Sequence, residues 1–290
     1  MHSSKLSFEI YTFQFRPLLP CVTGSLFEDL TAERKAIMEN KNSRFKELPF
    51  NVTYLKNQEI LRCQPIFEKD DIIAFKLANK RKMDVEMNFE IKTFEAHPSV
   101  IVIINNNPNI QRIAIQIKKD AFTTPDVVAS ILRKAYNKAL KKYELEIKIN
   151  KEYAASEFWD EVSTYKESIQ KVRFNLDYPN LPCLHKYITE DLRALSERSG
   201  STQTSLELNA VNPESCLTLD ENDIELQNLV KASSIAGNPI TLKIKGLRAY
   251  LKTGNTDVIM QLDEMEIQGN NASEIVDAFN SIINEIENEE

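Results

Sequence analysis

The chain has only six glycines in 290 residues, and neither GxxxxGK followed by Ser or Thr nor GxGxxG occurs among them. Without those glycines there is no backbone cradle for phosphates, so P-loop nucleotide hydrolysis is excluded. Cysteine is as scarce: Cys21, Cys63, Cys183 and Cys216 are far apart, with no CxxC pair and no Cys/His spacing of zinc-finger type. They read as reduced, mostly buried thiols, and a chain this long needs no disulfide framework. No apolar run approaches the roughly 18 residues that would cross a bilayer. The opening MHSSKLSFEIYTF lacks a basic segment followed by a long apolar one, so the expectation is a soluble cytoplasmic protein with no membrane partner.

What is present is enough for a core. At 42% hydrophobic and 27% charged, the composition is that of a folded protein between one large domain and two ordinary ones. Charge divides it unevenly. Residues 1–143 hold 23 Lys+Arg against 16 Asp+Glu, and residues 144–290 hold 13 against 27, giving +7 and −14. A basic first lobe could meet an anion while the acidic second lobe repels it or meets a basic partner.

The hydrophobic pattern predicts an α+β fold. KLSFEIYTFQF alternates as a strand until Pro17 and Pro20 end it, and residues 24–45 suit a short helix and a loop. Residues 50–118 read as an antiparallel β-meander. Within it MDVEMNFEI is expected as one half-buried strand, and SVIVIINNNPNIQRIAIQI as a hairpin with a loop of about five residues around NNNPN. TPDVVASILRKAYNKALKKY is a long amphipathic helix, with Thr124 as cap, Pro125 in the first turn and Asp126 at the positive end of the macrodipole. Beyond residue 144 strands and helices alternate: LEIKI, SEFWDEVSTYKESIQ, KVRFNLDY, HKYITEDLRALSERS, TSLELNAV and DENDIELQNLVKASSIA, the last capped by Asp220. ITLKIKG, LRAYLKTG and DVIMQLDEMEIQ then read as a meander before a C-terminal helix. A soft boundary near 144 separates a basic β-rich lobe, 1–143, with helix 124–143, from an acidic α/β lobe, 144–290.

From residue 98 onward the order of elements resembles a family of prokaryotic proteins of unassigned function met in phage-defence and mobile-element neighbourhoods. The likeness is carried by SVIVIINNNPNIQRIAIQI, VVASILRKAYNKAL, SIQKVRFNLDYPN and ITLKIKG. It implies an antiviral-defence context and supplies no catalytic residues.

Reactive constellations are few. Histidine is limited to His2, His97 and His185. Cys183 and His185 sit two apart in DYPNLPCLHKYI, which a strand would place on one face and a helix about 200° apart. Pro182 favours helix initiation there rather than a nucleophile–base pair. The acids Glu157, Asp160 and Glu161, Glu190 with Asp191, and Asp220, Glu221 and Asp223 fall in helix first turns, where the macrodipole accounts for them. No metal site and no cofactor is expected.

Basic residues carry the better signal. Lys134, Lys138 and Lys141 recur at i, i+4, i+7, with Arg133 and Lys142 beside them, forming a cationic ridge opposite the apolar stripe. Lys80, Arg81 and Lys82 form a second cluster, expected in a hairpin turn. Ridge and loop together suit a phosphate backbone, DNA or RNA, or an acidic partner protein. The expected function is a non-enzymatic component of a bacterial phage-defence system that binds through its basic lobe. Two alternatives stay open: a metal-dependent nuclease or toxin-type effector, and an oligomeric scaffold.

Overall fold

A computed structural model describes residues 5–18, 27–177, 201, 203–268 and 272–288. The fold is α+β, and every recorded strand pairing is antiparallel. The pair Cys183 and His185, the acids Glu190 and Asp191, and the helix expected over HKYITEDLRALSERS lie outside the described residues.

A seven-stranded sheet is organised around β1, Lys5–Pro17. On one side of β1 lies β9, Arg112–Gln116, followed outward by β8, Ser99–Asn105, β5, Ile72–Ala78, and β4, Arg62–Lys69. The other side is shared by two strands. β15, Ile259–Asp263, pairs with Lys5–Glu9, and β10, Leu145–Lys151, pairs with Tyr11–Pro17. β1 is therefore central, and both faces are buried: Phe8 and Ile10 point into one core, Tyr11, Phe13 and Phe15 into the other. Its sequence nonetheless still alternates, because Thr12 and Gln14 are polar residues buried on the side of Phe8 and Ile10.

Helices α1, Phe27–Glu39, α2, Lys41–Lys46, α3, Leu48–Asn51, and α4, Pro125–Leu140, contribute to the first core. Phe45 wedges among Phe13, Phe15 and Tyr136 at ring separations of 5.1, 5.4 and 5.0 Å. Such pairs add about 0.5–1.5 kcal/mol each beyond the area they bury. The opposite face is covered by α7, Glu264–Gln268, and α8, Ala272–Asn288, through Ile267, Ile275, Phe279 and Ile282. The spacing of the last three is that of a helix with one apolar stripe.

A second sheet has the order β12-β11-β13-β14: Gln203–Asn209, Ile169–Asp177, Thr241–Ile244 and Leu251–Lys252. α5, Ser156–Thr164, and α6, Ile224–Ile235, pack on it through Phe158, Val162, Leu226 and Val230. Small hairpins β2–β3, Leu55–Lys56 with Glu59–Ile60, and β6–β7, Arg81–Met87 with Glu90–Ala96, stand apart from both sheets.

Several expectations are corrected. MDVEMNFEI is two strands, because Asn88 and Phe89 both take left-handed φ, 54° and 66°, and close a two-residue turn. The arm it forms is exposed rather than half-buried. DVIMQLDEMEIQ splits into β15, which returns to the first sheet, and α7. Asp223, not Asp220, caps α6, its carboxylate accepting from the N–H groups of Glu225 and Leu226. Thr124 precedes α4 in an extended conformation but makes no side-chain capping bond. The change of charge near residue 144 falls inside the first sheet: Glu144 turns the chain at φ 55° and β10 pairs directly with β1. Among the described residues no helix is long and apolar enough to cross a membrane.

Candidate nucleic-acid interface

α4 is held by its buried side. Val128, Ile131, Leu132, Ala135, Tyr136 and Leu140 enter the first core. The hydroxyls of Tyr136 and Tyr54 are 3.0 Å apart, and Tyr54 donates onward to the Pro49 carbonyl at 2.7 Å. Asn137 clamps the helix to β10, donating to the Ile147 carbonyl and accepting from the Ile147 N–H. These contacts fix the rotation of the helix, and with it the direction of the opposite face.

That face is basic. Arg133, Lys134 and Lys138 are exposed on α4, and Lys141 and Lys142 continue the row on a 3₁₀ turn, Lys141–Tyr143. Among the described residues none of the five forms an ion pair with a carboxylate, and Lys142 instead lies 4.6 Å from the Tyr143 ring. Lys134, Lys138 and Lys141 span about 10 Å at ~1.5 Å per residue, close to the rise of about three phosphates on one strand at ~3.4 Å each.

Lys80, Arg81 and Lys82 are elsewhere. They sit at the base of the β6–β7 arm, not in its turn. Lys80 pairs with Glu95 at 3.1 Å, and Arg81 donates to the Lys119 carbonyl, in the segment leading into α4. Counted from the first residue of α4, Arg133 lies about 12 Å and Lys141 about 24 Å along the axis, so the ridge occupies the second half of α4 while the base of the arm meets the segment before its first turn.

A polar cleft of about 220 Å³ opens beside Arg133, lined also by Tyr11, Asp126, Ser130, Lys151 and Tyr153. The Lys151 ammonium reaches Glu9 at 2.9 Å, Asp257 at 2.8 Å and Asp126 at 3.9 Å. The Tyr11 hydroxyl lies 3.0 Å from Glu9 and 2.8 Å from Asp126, and its single proton serves one carboxylate at a time. Burial and then those carboxylates hold Tyr11 far above the usual tyrosine range. For Lys151, burial lowers the pKa, but hydrogen bonds to Asp257 and Glu9 more than offset it and leave the amine firmly protonated. The ammonium occupies the point where the acids converge. Among the described residues no group of three His, Cys, Asp or Glu side chains is arranged to hold a metal ion.

Glu157 plays a part that its place in a helix first turn does not convey. Its carboxylate accepts from the backbone N–H groups of Gly254, Asn255 and Thr256 and from the Asn255 side-chain amide, at 2.9–3.1 Å. Burial would raise its pKa, yet these donors bring it below the ordinary carboxylate value. It thereby pins to α5 the loop that carries Asp257 toward Lys151.

No family model, no curated protein and no solved structure matches the chain.

Proposed function

We propose that this chain is a non-enzymatic component of a bacterial phage-defence system that binds nucleic acid through the basic face of α4. One observation carries the reading: five exposed cations lie in a row with no carboxylate partner among the described residues, on a helix whose rotation is locked by Tyr136 and Asn137. Phosphate binding rewards such an arrangement, since each cation that meets a phosphate releases condensed counterions. Lys80, Arg81 and Lys82 contribute at the far end of α4, Lys80 less because Glu95 already neutralises it. Among the described residues no aromatic platform accompanies the ridge, so the contact reads backbone charge rather than base sequence. An acidic partner protein is the other occupant this surface suits.

Fluorescence anisotropy with labelled duplex DNA and RNA at about 50 mM salt tests it. The wild-type chain binds, and Lys134→Glu with Lys138→Glu and Lys141→Glu abolishes binding while the circular dichroism spectrum stays unchanged. Absence of wild-type binding, or an unaffected triple variant, sinks the reading. Chelator-sensitive cleavage of plasmid or RNA in Mg²⁺ or Mn²⁺ would replace it with the metal-dependent nuclease.

A further inference from the structure

The β6–β7 arm is the least explained part of the molecule. Among the described residues its strands pair only with each other, and residues 84–95 are exposed throughout. An isolated two-stranded hairpin is at best marginally stable in water, yet this one displays Met87, Ile91 at 75% exposure and Phe89 at 97%. Phe89 is also strained. It takes φ 66° at the second turn position, where glycine is the preferred residue because an L side chain crowds the following carbonyl. A large apolar residue held in that conformation at the tip of an arm points to a surface that is covered in use.

The charge around the tip narrows what covers it. Between residues 83 and 91 the chain has three acids, Asp84, Glu86 and Glu90, and no base. Glu86 and Glu90 flank Phe89 through cross-strand pairs with Ile91 and Met87. An acidic tip is repelled by phosphate, which disfavours nucleic acid and anionic membrane as occupants. It suits an apolar spot rimmed by cations.

The chain carries such a spot at the C-terminal end of α4. Leu18, 45% exposed, is tied to this corner by donating its N–H to the Glu144 carbonyl at 2.7 Å. Tyr143, which precedes Glu144 and is half-buried against the first core, lies under Arg44 at 5.2 Å and Lys142 at 4.6 Å, with Lys141 two residues before it. The arm is rooted near the other end of the same helix, where Arg81 meets Lys119, and its residues 84–95 are exposed.

We infer that the chain self-associates, the acidic apolar tip of one copy, centred on Phe89, seating on the Leu18–Tyr143 corner rimmed by Arg44, Lys141 and Lys142 of a second copy. Every copy holds both halves of the contact, so two arms can be exchanged about a two-fold axis and each pair closes with two identical contacts. Lys134 and Lys138 stay outside it, and the inference does not rest on nucleic-acid binding.

Sedimentation velocity of the full chain over about 1–100 µM measures the association. Wild type forms a dimer that weakens at high salt. Phe89→Ser weakens it about 30-fold or more, the effect of losing a buried aromatic anchor. Phe89→Gly does the same while relieving the turn, which separates loss of contact from loss of fold. Glu86→Lys with Glu90→Lys is monomeric alone, as is Lys141→Glu with Lys142→Glu. Mixing the two charge-reversed proteins restores a heterodimer through matched arms and corners. A wild type that stays monomeric, a dimer indifferent to Phe89, or a mixture that fails to associate each overturns the inference. So does an arm variant that keeps its mass but loses nucleic-acid affinity.

Discussion

Replacing Glu157 by Gln tests how the two sheets are joined. The crossover from β14 to β15 runs through residues 253–258, and the carboxylate of Glu157 gathers four N–H donors from it. Hydrogen bonds to a charged group contribute about 1.5–3 kcal/mol each, though not additively. Glutamine keeps one oxygen, which at the Oε2 position still accepts from the three backbone N–H groups, while its amide faces the Asn255 side-chain donor; one of the four bonds is lost and the other three lose the charge that strengthens them. The expected cost is about 2–4 kcal/mol, large for one atom exchanged. Urea denaturation of wild type and Glu157→Gln reads it directly. The pH dependence carries a second signature. The folded-state pKa of Glu157 lies below its ordinary 4.5, so its contribution is complete above that value and is lost as pH falls through the folded one. The gap between the two proteins therefore narrows on acidification below about pH 4.5. A difference under about 0.5 kcal/mol at neutral pH, or a gap that ignores acid, refutes the pinning role.

Three further outcomes follow from buried or terminal polar groups. Tyr54→Phe strands the Tyr136 hydroxyl in the core and costs about 1–3 kcal/mol by chemical denaturation, more than Tyr136→Phe, which leaves Tyr54 bonded to Pro49. Arg112 and Glu152 form a bidentate pair at 2.7 and 3.0 Å with both side chains almost fully buried. Arg112→Met alone costs about 3–5 kcal/mol, and Arg112→Met with Glu152→Met recovers most of it. Asp223→Ala lowers stability by about 1 kcal/mol through loss of the α6 cap, whereas Thr124→Ala at α4 has a smaller effect. Equal losses at the two positions would contradict the difference in capping geometry.

The α+β class was legible because a period of two is written plainly in LEIKI, where Leu145, Ile147 and Ile149 are buried, and one of 3.6 in PDVVASILRKAYNKAL. The ridge was legible too, since residues i, i+4 and i+7 share a helix face whatever the surroundings. The arm was not. In a two-residue hairpin, odd positions before the turn share a face with even positions after it, as Met87 with Glu90 shows. The run Met83 to Ile91 keeps its odd-numbered apolar rhythm through the turn, and Phe89 stands where a glycine would have marked it. β15 was also out of reach, because its choice of β1 over β14 depends on which strand edge is open, a property of the assembled sheet. The cleft around Lys151 left no local trace. Glu9, Asp126 and Asp257 are separated by more than a hundred residues, and a buried acid on β1 was the one sign that a cation would be brought to it.

The salt dependence of nucleic-acid affinity addresses the central claim most directly. If all five cations of the α4 face meet phosphates of a DNA duplex, that face alone contributes about −4.5 to the slope of log K against log salt, about 500-fold between 50 and 200 mM. Removing Lys134, Lys138 and Lys141 together as alanines leaves two contacts on the face, which contribute about −1.8, or about 12-fold. A flat salt response in the wild type, or an identical slope in the triple variant, would show that the basic face of α4 is not where nucleic acid binds.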